Sequence, residues 1–333
     1  MSQMNRRDWL TTVGAASIAS GLIAPRAASA VQATQSSPPP ADATRFFPGF
    51  KPFRVKTSGA EINGVIGGSG PPVLLLHGAP QSHITWRAVA AKLAANYTVV
   101  ATDLRGYGDS SKPPDGDEHA GYSKRAMAQD QVEVMRELGY ERFAVVGHDR
   151  GGRVAPRMAL DHPGAITKLA VLDIVPTLTV YTQVTKALAT VYFHWFFLIQ
   201  PAPLPETLLA GQAEFFLRHF PFRRLIPRVI PEEIFSEYLR CFADPATLHA
   251  MCEDYRAAAG VDLEHDAADL ARKLEQPLLA LWGERGAMHP LYDVAQTWRE
   301  RATYVYERML PAGHWLPEEC PDELSAALED FLA

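Results

Sequence analysis

Residues 147–152, with the sequence Gly-His-Asp-Arg-Gly-Gly, are the segment whose residue types most directly indicate chemistry. The segment has the small-x-nucleophile-x-small form of a nucleophile elbow, a sharp strand-to-helix turn that presents its central side chain. That residue is Asp149, and a carboxylate that attacks carbon forms an ester, so the pattern indicates displacement at a saturated carbon rather than acyl transfer. An aspartate that only caps a helix N-terminus is the alternative, but the flanking glycines favour the elbow.

An ester on Asp149 needs a base that activates water for its hydrolysis. His314 lies between the last strand-like run, 303–306, and a final helix predicted over 323–332. Its place after the nucleophile and the acid suits an elbow of this kind. Two carboxylates compete as the acid that orients His314. Asp173, at the end of the strand after the nucleophile helix, is preferred, and Glu284 is the rival.

Two arginines, Arg150 and Arg153, follow the elbow three residues apart, so on a helix they share one face near Asp149. Two guanidiniums beside one buried carboxylate are costly unless a further anion joins them. Planar guanidinium groups suit a carboxylate, which predicts that they bind the carboxylate of a substrate. Arg157, one turn further along the helix, is predicted to lie on the surface.

Five short, unbroken apolar runs must position these side chains. They cover residues 72–76, 97–102, 143–146, 169–172 and 278–282 and are separated by helical stretches. This pattern is typical of a mostly parallel, doubly wound sheet in an α/β protein. Ligand-binding groups in such sheets follow the carboxyl ends of the strands. Those ends carry His77, Asp103, Asp149, Asp173 and Glu284.

The alternation stops over residues 177–260, which are aromatic and helix-like. We predict an inserted helical cap there, with the core formed by residues 46–176 and 261–333. The chain has 333 residues, 47% of them hydrophobic, and a net charge of −6. That composition excludes a disordered chain and argues against nucleic-acid binding. Three cysteines without metal-ligand spacing are expected to pack as apolar groups, and no metal or cofactor is predicted.

The first thirty residues read as a twin-arginine signal peptide. Arg6 and Arg7 precede a short apolar stretch, and cleavage is expected near Ala30. The twin-arginine export machinery is then a partner, and the mature enzyme is expected in the periplasm. Residues 31–45, rich in serine and proline, are predicted to be a flexible linker. The alternative is a disordered basic start on a cytoplasmic enzyme.

From about residue 46 to its end, the chain resembles α/β-hydrolases of the fluoroacetate, or haloacetate, dehalogenase family. The matching stretches are 77–81, 103–110, 147–153, 171–176, 194–195, 200–203 and 254–257. The first two are generic to the superfamily. The elbow with two arginines, together with His194, Trp195 and Tyr255, is more specific to this family.

The resemblance implies a role for each matching residue. Asp149 would be the nucleophile, His314 the base and Asp173 its partner, and backbone N–H groups of Ala79 and Arg150 would stabilise the oxyanion. The substrate carboxylate would bind Arg150 and Arg153, and the departing halide would bind His194, Trp195 and Tyr255. The chain departs from the pattern at Gly286, where related hydrolases often carry an aspartate, and over residues 212–232.

Three functions agree with these features. A dehalogenase would convert a small halogenated carboxylate, fluoroacetate or chloroacetate, to glycolate and halide. An epoxide hydrolase would use the same aspartate, with Tyr255 as proton donor, but would leave the arginines unexplained. A non-catalytic carboxylate-binding homologue is the third. The sequence does not fix the oligomeric state, and a homodimer stays open.

Overall fold

Eight strands form one sheet in the computed structural model of the chain, which describes residues 43–333. They are β1 Lys51–Lys56, β2 Glu61–Gly68, β3 Pro72–Leu76, β4 Thr98–Thr102, β5 Phe143–His148, β6 Ile166–Leu172, β7 Leu278–Gly283 and β8 Val305–Leu310. Their order is β1-β2-β4-β3-β5-β6-β7-β8. β2 pairs antiparallel with β1 and β4, and the other pairs are parallel. The predicted fold class, a mostly parallel α/β sheet, is confirmed.

Each of the five predicted apolar runs lies in a strand. β4 and β5 are buried along their whole length, which explains why their sequences are apolar without alternation. The strand predicted over 303–306 begins too early and ends too early, since β8 covers Val305–Leu310. Four of the six residues of β8 are exposed, so its sequence lacks the apolar pattern of a buried strand. The β1–β2 hairpin was not predicted, because β1 is largely exposed and charged and β2 is rich in glycine.

Helices outside the 173–277 stretch connect and cover the strands. They are α1 Ala43–Phe46, α2 Arg87–Leu93, α3 Lys124–Glu137, α4 Arg150–Asp161, α13 Met288–Leu291, α14 Val294–Arg299, α15 Leu316–Glu319 and α16 Pro321–Leu332. Short 3₁₀ turns cover His83–Trp86 and Asp117–Tyr122. The predicted signal peptide, 1–30, and most of the predicted linker lie outside the described residues. The linker's last residues enter α1, so that end is helical.

Between β6 and β7 the chain forms eight helices. They are α5 Thr177–Thr182, α6 Lys186–Val191, α7 Phe193–Leu198, α8 Leu204–Leu209, α9 Ala213–His219, α10 Glu232–Phe242, α11 Pro245–Ala259 and α12 Val261–Ala268. This agrees with a helical insertion, while its division into core and cap domains stays a prediction. Within the described part of the chain, no helix is long and apolar enough to cross a membrane.

Parallel pairing places the chemistry at one edge of the sheet. His148 at the end of β5 is in register with Leu172 at the end of β6, so Asp149 and Asp173 leave neighbouring strands together. β7 and β8 end side by side at Gly283 and Leu310. The loop that carries His314 follows β8 and therefore reaches the same edge.

Candidate active site

The elbow holds Asp149 in a strained backbone conformation between β5 and α4. Its φ of 46° lies in the left-handed region, and α4 begins at the next residue. A side chain at Gly147 would overlap the carbonyl oxygen of Gly151, and one at Gly78 would overlap Asp149 itself. The backbone N–H of Ala79 donates to Asp149 Oδ1 at 3.0 Å. One carboxylate oxygen is thus fixed and the other is left for chemistry.

The structure brings His314 and Asp173 to this carboxylate. His314 Nδ1 lies 2.7 Å from Asp173 Oδ2, and its Nε2 lies 3.8 Å from Asp149 Oδ2. The N–H of Gly283 donates to Asp173 Oδ1 at 3.1 Å. The rival Glu284 is instead exposed and pairs with Arg285 at 2.8 Å. The arrangement fits the preference for Asp173 over Glu284.

Gly286 leaves room for Asp173 beside the loop after β7. A Cβ added at Gly286 would lie 2.6 Å from Asp173 Oδ1. The carboxylate from the end of β6 therefore fills the space beside this loop after β7. A side chain at residue 286 would displace Asp173 from His314.

The charges around His314 and Asp149 set the protonation of these two groups. Burial opposes the charged form of His314, but the hydrogen bond and charge of Asp173 and the charge of Asp149 outweigh it and raise the pKa of His314. Burial would raise the pKa of Asp149, but His314, His148 and the arginines lower it. Asp149 is therefore a carboxylate near neutral pH, and His314 is a base only above its raised pKa.

This raised pKa predicts the pH dependence of ester hydrolysis. We expect the rate to rise with pH, because only neutral His314 accepts a proton. The ester removes the charge of Asp149, so Asp173 is the carboxylate that still raises the midpoint. Asp173→Asn should slow hydrolysis and move the midpoint down, because the pairing charge is lost. Decay of the preformed ester, followed in single turnover across pH, measures both effects. An unshifted midpoint in Asp173→Asn would mean that Asp173 does not affect the titration of His314.

The sequence predicts no role for His148, the residue before the nucleophile. It is fully buried, and burial together with the charge of His314 lowers its pKa to about 3, so the ring is neutral. Its Nε2 lies 2.8 Å from the carbonyl oxygen of His314, to which it donates as the Nε2–H tautomer. The two rings lie 4.8 Å apart. His148 thereby anchors the backbone of the loop that carries His314.

A cavity of about 220 Å³ opens in front of Asp149. Its polar wall includes Tyr192, His194, Tyr255 and His314. Its apolar wall consists mainly of Ala79, Pro80, Val191, Leu198, Phe216, Phe220, Pro221, Phe242, Met251, Ala287 and Trp315. The segment 212–232, which departs from the family pattern, supplies Phe216, Phe220 and Pro221. Tyr192 was missed, although its place two residues before His194 was a signal.

The three side chains predicted to bind halide lie together. The His194 and Tyr255 rings are 5.8 Å apart, and those of Trp195 and Tyr255 are 6.0 Å apart. His194 Nδ1 and Trp195 Nε1 are buried and have no hydrogen-bond partner among residues 43–333. Burial lowers the pKa of His194 to about 3 and raises that of Tyr255 well above its usual range, so both are neutral. Trp195 is fully buried and contacts Tyr255 rather than lining the cavity.

Arg150 and Arg153 lie behind these rings. The Cζ of Arg150 is 4.2 Å from the Tyr255 ring centre, and that of Arg153 is 4.5 Å from the Trp195 ring centre. Arg153 Nη1 donates to Val175 O and Thr177 Oγ1, each at 3.0 Å. Arg153 Nε and Nη2 and Arg150 Nη1 are buried without a partner in the described chain. Neither arginine lines the cavity directly.

Asp254, on α11, binds Arg150 and was given no role from the sequence. Arg150 Nε and Nη2 donate to its carboxylate at 2.8 and 2.7 Å. Tyr107 and Lys124 also donate to it. Burial would raise the pKa of Asp254, but Arg150 and Lys124 hold it well below its usual range. Among the residues that the structure describes, one guanidinium nitrogen of Arg150 lacks a partner, whereas Arg153 has two such nitrogens.

Two other groups of side chains, a possible cation site and the three cysteines, are explained by their contacts and burial. Ligand atoms of Asp115, His249 and Glu253 lie within 4.8 Å of one another, close enough for a cation. However, Glu253 pairs with Arg256 at 2.6 Å, and His249 pairs with Glu206 at 3.0 Å. Cys241, Cys252 and Cys320 are free and buried, and burial raises the pKa of each thiol to about 12. Their predicted packing as apolar groups is confirmed.

Comparisons with known proteins agree with this fold. A family model for the alpha/beta hydrolase fold matches residues 71–321. Over 290 residues the chain is 45% identical to fluoroacetate dehalogenase from Burkholderia sp, covering 86% of this chain and 95% of the relative. It is 35% identical to soluble epoxide hydrolase from Corynebacterium sp. strain C12, covering 82% and 94%.

Solved structures show the same fold. A protein from Nostoc sp PCC 7120, provisionally named an alpha/beta hydrolase, is 54% identical with a TM-score of 0.83, covering 85% of this chain and 98% of its own. A provisionally named epoxide hydrolase from Pseudomonas aeruginosa is 45% identical with a TM-score of 0.80, covering 86% and 96%. The chain belongs to the α/β-hydrolase family and, within it, to the enzymes that are like haloacetate dehalogenase.

Proposed function

We propose that the protein hydrolyses haloacetates to glycolate and halide through an ester on Asp149. The observation that carries this proposal concerns two sets of buried nitrogen atoms on the side of Asp149. Within the described chain, these atoms have no hydrogen-bond partner. Arg150 Nη1 with Arg153 Nε and Nη2 suits a carboxylate, and His194 with Trp195 suits a halide. Buried polar groups normally have partners, so such sets indicate a ligand with a carboxylate at one end and an electronegative group at the other.

In the first step, Asp149 Oδ2 attacks the halogen-bearing carbon while Oδ1 stays bound to the N–H of Ala79. A carbon–oxygen bond forms, and the carbon–halogen electron pair leaves with the halide. His194, Trp195 and Tyr255 stabilise the charge that develops on the halide. The arginines orient the carbon by its carboxylate.

In the second step, His314 Nε2 takes a proton from a water that attacks the carbonyl carbon of the ester. Asp173 stabilises the resulting imidazolium through its 2.7 Å contact. The N–H groups of Ala79 and Arg150 stabilise the oxyanion. Collapse breaks the ester bond, and His314 returns its proton to the departing alkoxide oxygen, which releases glycolate. The new carboxylic acid of Asp149 then loses its proton to solvent, which regenerates the carboxylate and accounts for the one proton released per turnover.

Halide release from fluoro-, chloro- and bromoacetate, measured beside diol formation from a small epoxide, tests the proposal. We expect halide from the haloacetates, little diol, and neither product with Asp149→Ala. Epoxide hydrolysis is a second candidate because two tyrosines, Tyr192 and Tyr255, line the cavity and could protonate an alkoxide. Diol formation without halide release would overturn the dehalogenase proposal in its favour.

The three donors proposed to bind the halide, which we call the cap donors, are His194, Trp195 and Tyr255. They should discriminate between halides. Trp195→Phe and Tyr255→Phe delete a donor while keeping most of the ring, and each donor contributes roughly 1–3 kcal/mol to the transition state. Fluoride concentrates its charge and is the poorest leaving group, so fluoroacetate turnover should fall by a larger factor than bromoacetate turnover. Halide release and ester hydrolysis are measured separately for both substrates. Equal losses would mean that these residues only shape the pocket.

Export by the twin-arginine route is also a proposal, based on residues 1–30. Arg6→Lys combined with Arg7→Lys should leave the protein uncleaved in the cytoplasm, because this route reads the arginine pair. Cell fractionation and N-terminal sequencing measure the location and the cleavage site. Arg26→Lys, beyond the apolar stretch, is the control and should be exported normally. A wild-type protein found uncleaved and wholly cytoplasmic would contradict export.

A further inference from the structure

Helix α4 buries a third arginine beyond the two near Asp149. Arg157 was predicted on the surface, but it is only 4% exposed, so that prediction was wrong. Arg150, Arg153 and Arg157 are spaced i, i+3 and i+7 and therefore share one face of α4. Arg157 Nη2 pairs with Asp161 at 2.7 Å and with Asp269 at 2.6 Å. Asp269 follows directly after α12, so the end of the insertion between β6 and β7 contacts this face of α4.

A second cavity, of about 70 Å³, lies along this face. Arg153 and Arg157 both line it, and it shares no lining residue with the cavity in front of Asp149. Its ionisable lining residues are Lys124, Arg153, Arg157, Arg272, Arg301, Asp262, Asp266 and Asp269. Five of these groups are basic and three are acidic, and two of the basic ones, Arg157 and Lys124, also pair with Asp161 and Asp254 outside the lining. We call this space the rear cavity.

The guanidiniums of the rear cavity keep donors that the described chain does not satisfy. Arg157 Nε and Nη1 are buried without a hydrogen-bond partner among the described residues. The same holds for Arg153 Nε and Nη2, which the proposed function assigns to the substrate carboxylate. Asp269 is engaged by Arg157 and Arg272. Lys124 Nζ lies 3.4 Å from Asp262 Oδ2, which has no hydrogen-bond partner among the described residues. Buried donors on a charged group that lack partners are unfavourable, and an anion that reaches them would supply the missing acceptor.

We propose that the rear cavity binds a small monovalent anion of the halide class between Arg153 and Arg157. The volume of the rear cavity suits an ion of that size together with one water molecule, since a water molecule occupies about 30 Å³. The proposal adds a second anion site to the one assigned to the cap donors. Such an anion would lie against Arg153 and compete with a substrate carboxylate for it. That consequence rests on the proposed function, whereas binding at the rear cavity does not.

Anomalous diffraction from crystals soaked in sodium bromide locates the ion directly. We expect a bromide peak between the Arg153 and Arg157 guanidiniums in the wild type. Arg157→Gln should weaken bromide binding there by about tenfold or more, because a charge-assisted contact is lost. Arg299→Gln, at an exposed arginine outside the cavity, is the matched control, and Trp195→Phe should also leave this peak in place.

Asp266→Asn keeps the proposal testable if Arg157→Gln does not fold. It removes a negative charge from the rear-cavity wall and should tighten bromide binding there by several-fold. Absence of a peak in the wild-type rear cavity, or an equal peak in Arg157→Gln, would overturn the proposal. Because the peak does not depend on turnover, an enzyme that releases no halide from haloacetates could still show it.

Discussion

His314→Ala should release about one equivalent of halide per active site and then stop. The first step needs only the Asp149 carboxylate, whereas the second needs a base at His314 Nε2, which lies 3.8 Å from that carboxylate. The ester therefore forms and persists, and steady-state turnover should fall by several orders of magnitude. Rapid-quench halide measurement gives the burst, and peptide mass spectrometry should find a carboxymethyl adduct on Asp149.

Two variants serve as controls for that result. Asp149→Ala should give neither burst nor adduct, because the nucleophile is gone. His289→Ala, at an exposed histidine on α13, should turn over like the wild type. Turnover of His314→Ala at the wild-type rate, without adduct, would remove His314 from the mechanism.

Arg153→Leu should lower kcat/KM for a haloacetate by about 100-fold or more, since a lost charge-assisted contact costs roughly 1.5–3 kcal/mol and orientation is lost as well. Turnover of the uncharged haloacetamide should change much less, because it has no carboxylate to bind. Comparing the two substrates on wild type and variant measures the effect. Arg299→Leu is the control for removing a positive charge elsewhere. If wild-type enzyme used haloacetamide as well as haloacetate, the arginines would not act as a carboxylate clamp.

The contacts predict that the two clamp arginines differ in their effect on stability. Arg150→Leu would leave Asp254 buried with Lys124 and Tyr107 but without its main partner, and such a loss costs about 3–5 kcal/mol of folding free energy. Arg153 has no carboxylate partner among residues 43–333, so Arg153→Leu should unfold closer to the wild type. Chemical denaturation of both variants measures this difference.

The sequence was most informative where a residue's role follows from its neighbours in the chain. Glycine crowding around Asp149 and the apolar runs of β3 to β7 are local signals, and both lie where they were expected. Asp173 could be preferred over Glu284 because strand ends meet at one sheet edge. The 2.7 Å contact with His314 agrees with that preference.

The missed features depend on chain segments that meet only after folding. The burial of Arg157 follows from Asp269, which is 112 residues away in sequence. The pairing of Arg150 with Asp254 spans 104 residues. The edge strands β1 and β8 were missed or misplaced because exposure removes the apolar pattern that marks central strands.

A single turnover in heavy-oxygen water tests the central claim most directly. With enzyme in excess over haloacetate, the alcohol oxygen of glycolate comes from Asp149 if the reaction passes through the ester. The solvent oxygen then enters the Asp149 carboxylate, because water attacks the carbonyl carbon of the ester. We predict unlabelled glycolate and one labelled oxygen in the peptide that contains Asp149. Labelled glycolate from an unlabelled enzyme would mean that water attacks the substrate directly, and it would contradict nucleophilic catalysis by Asp149.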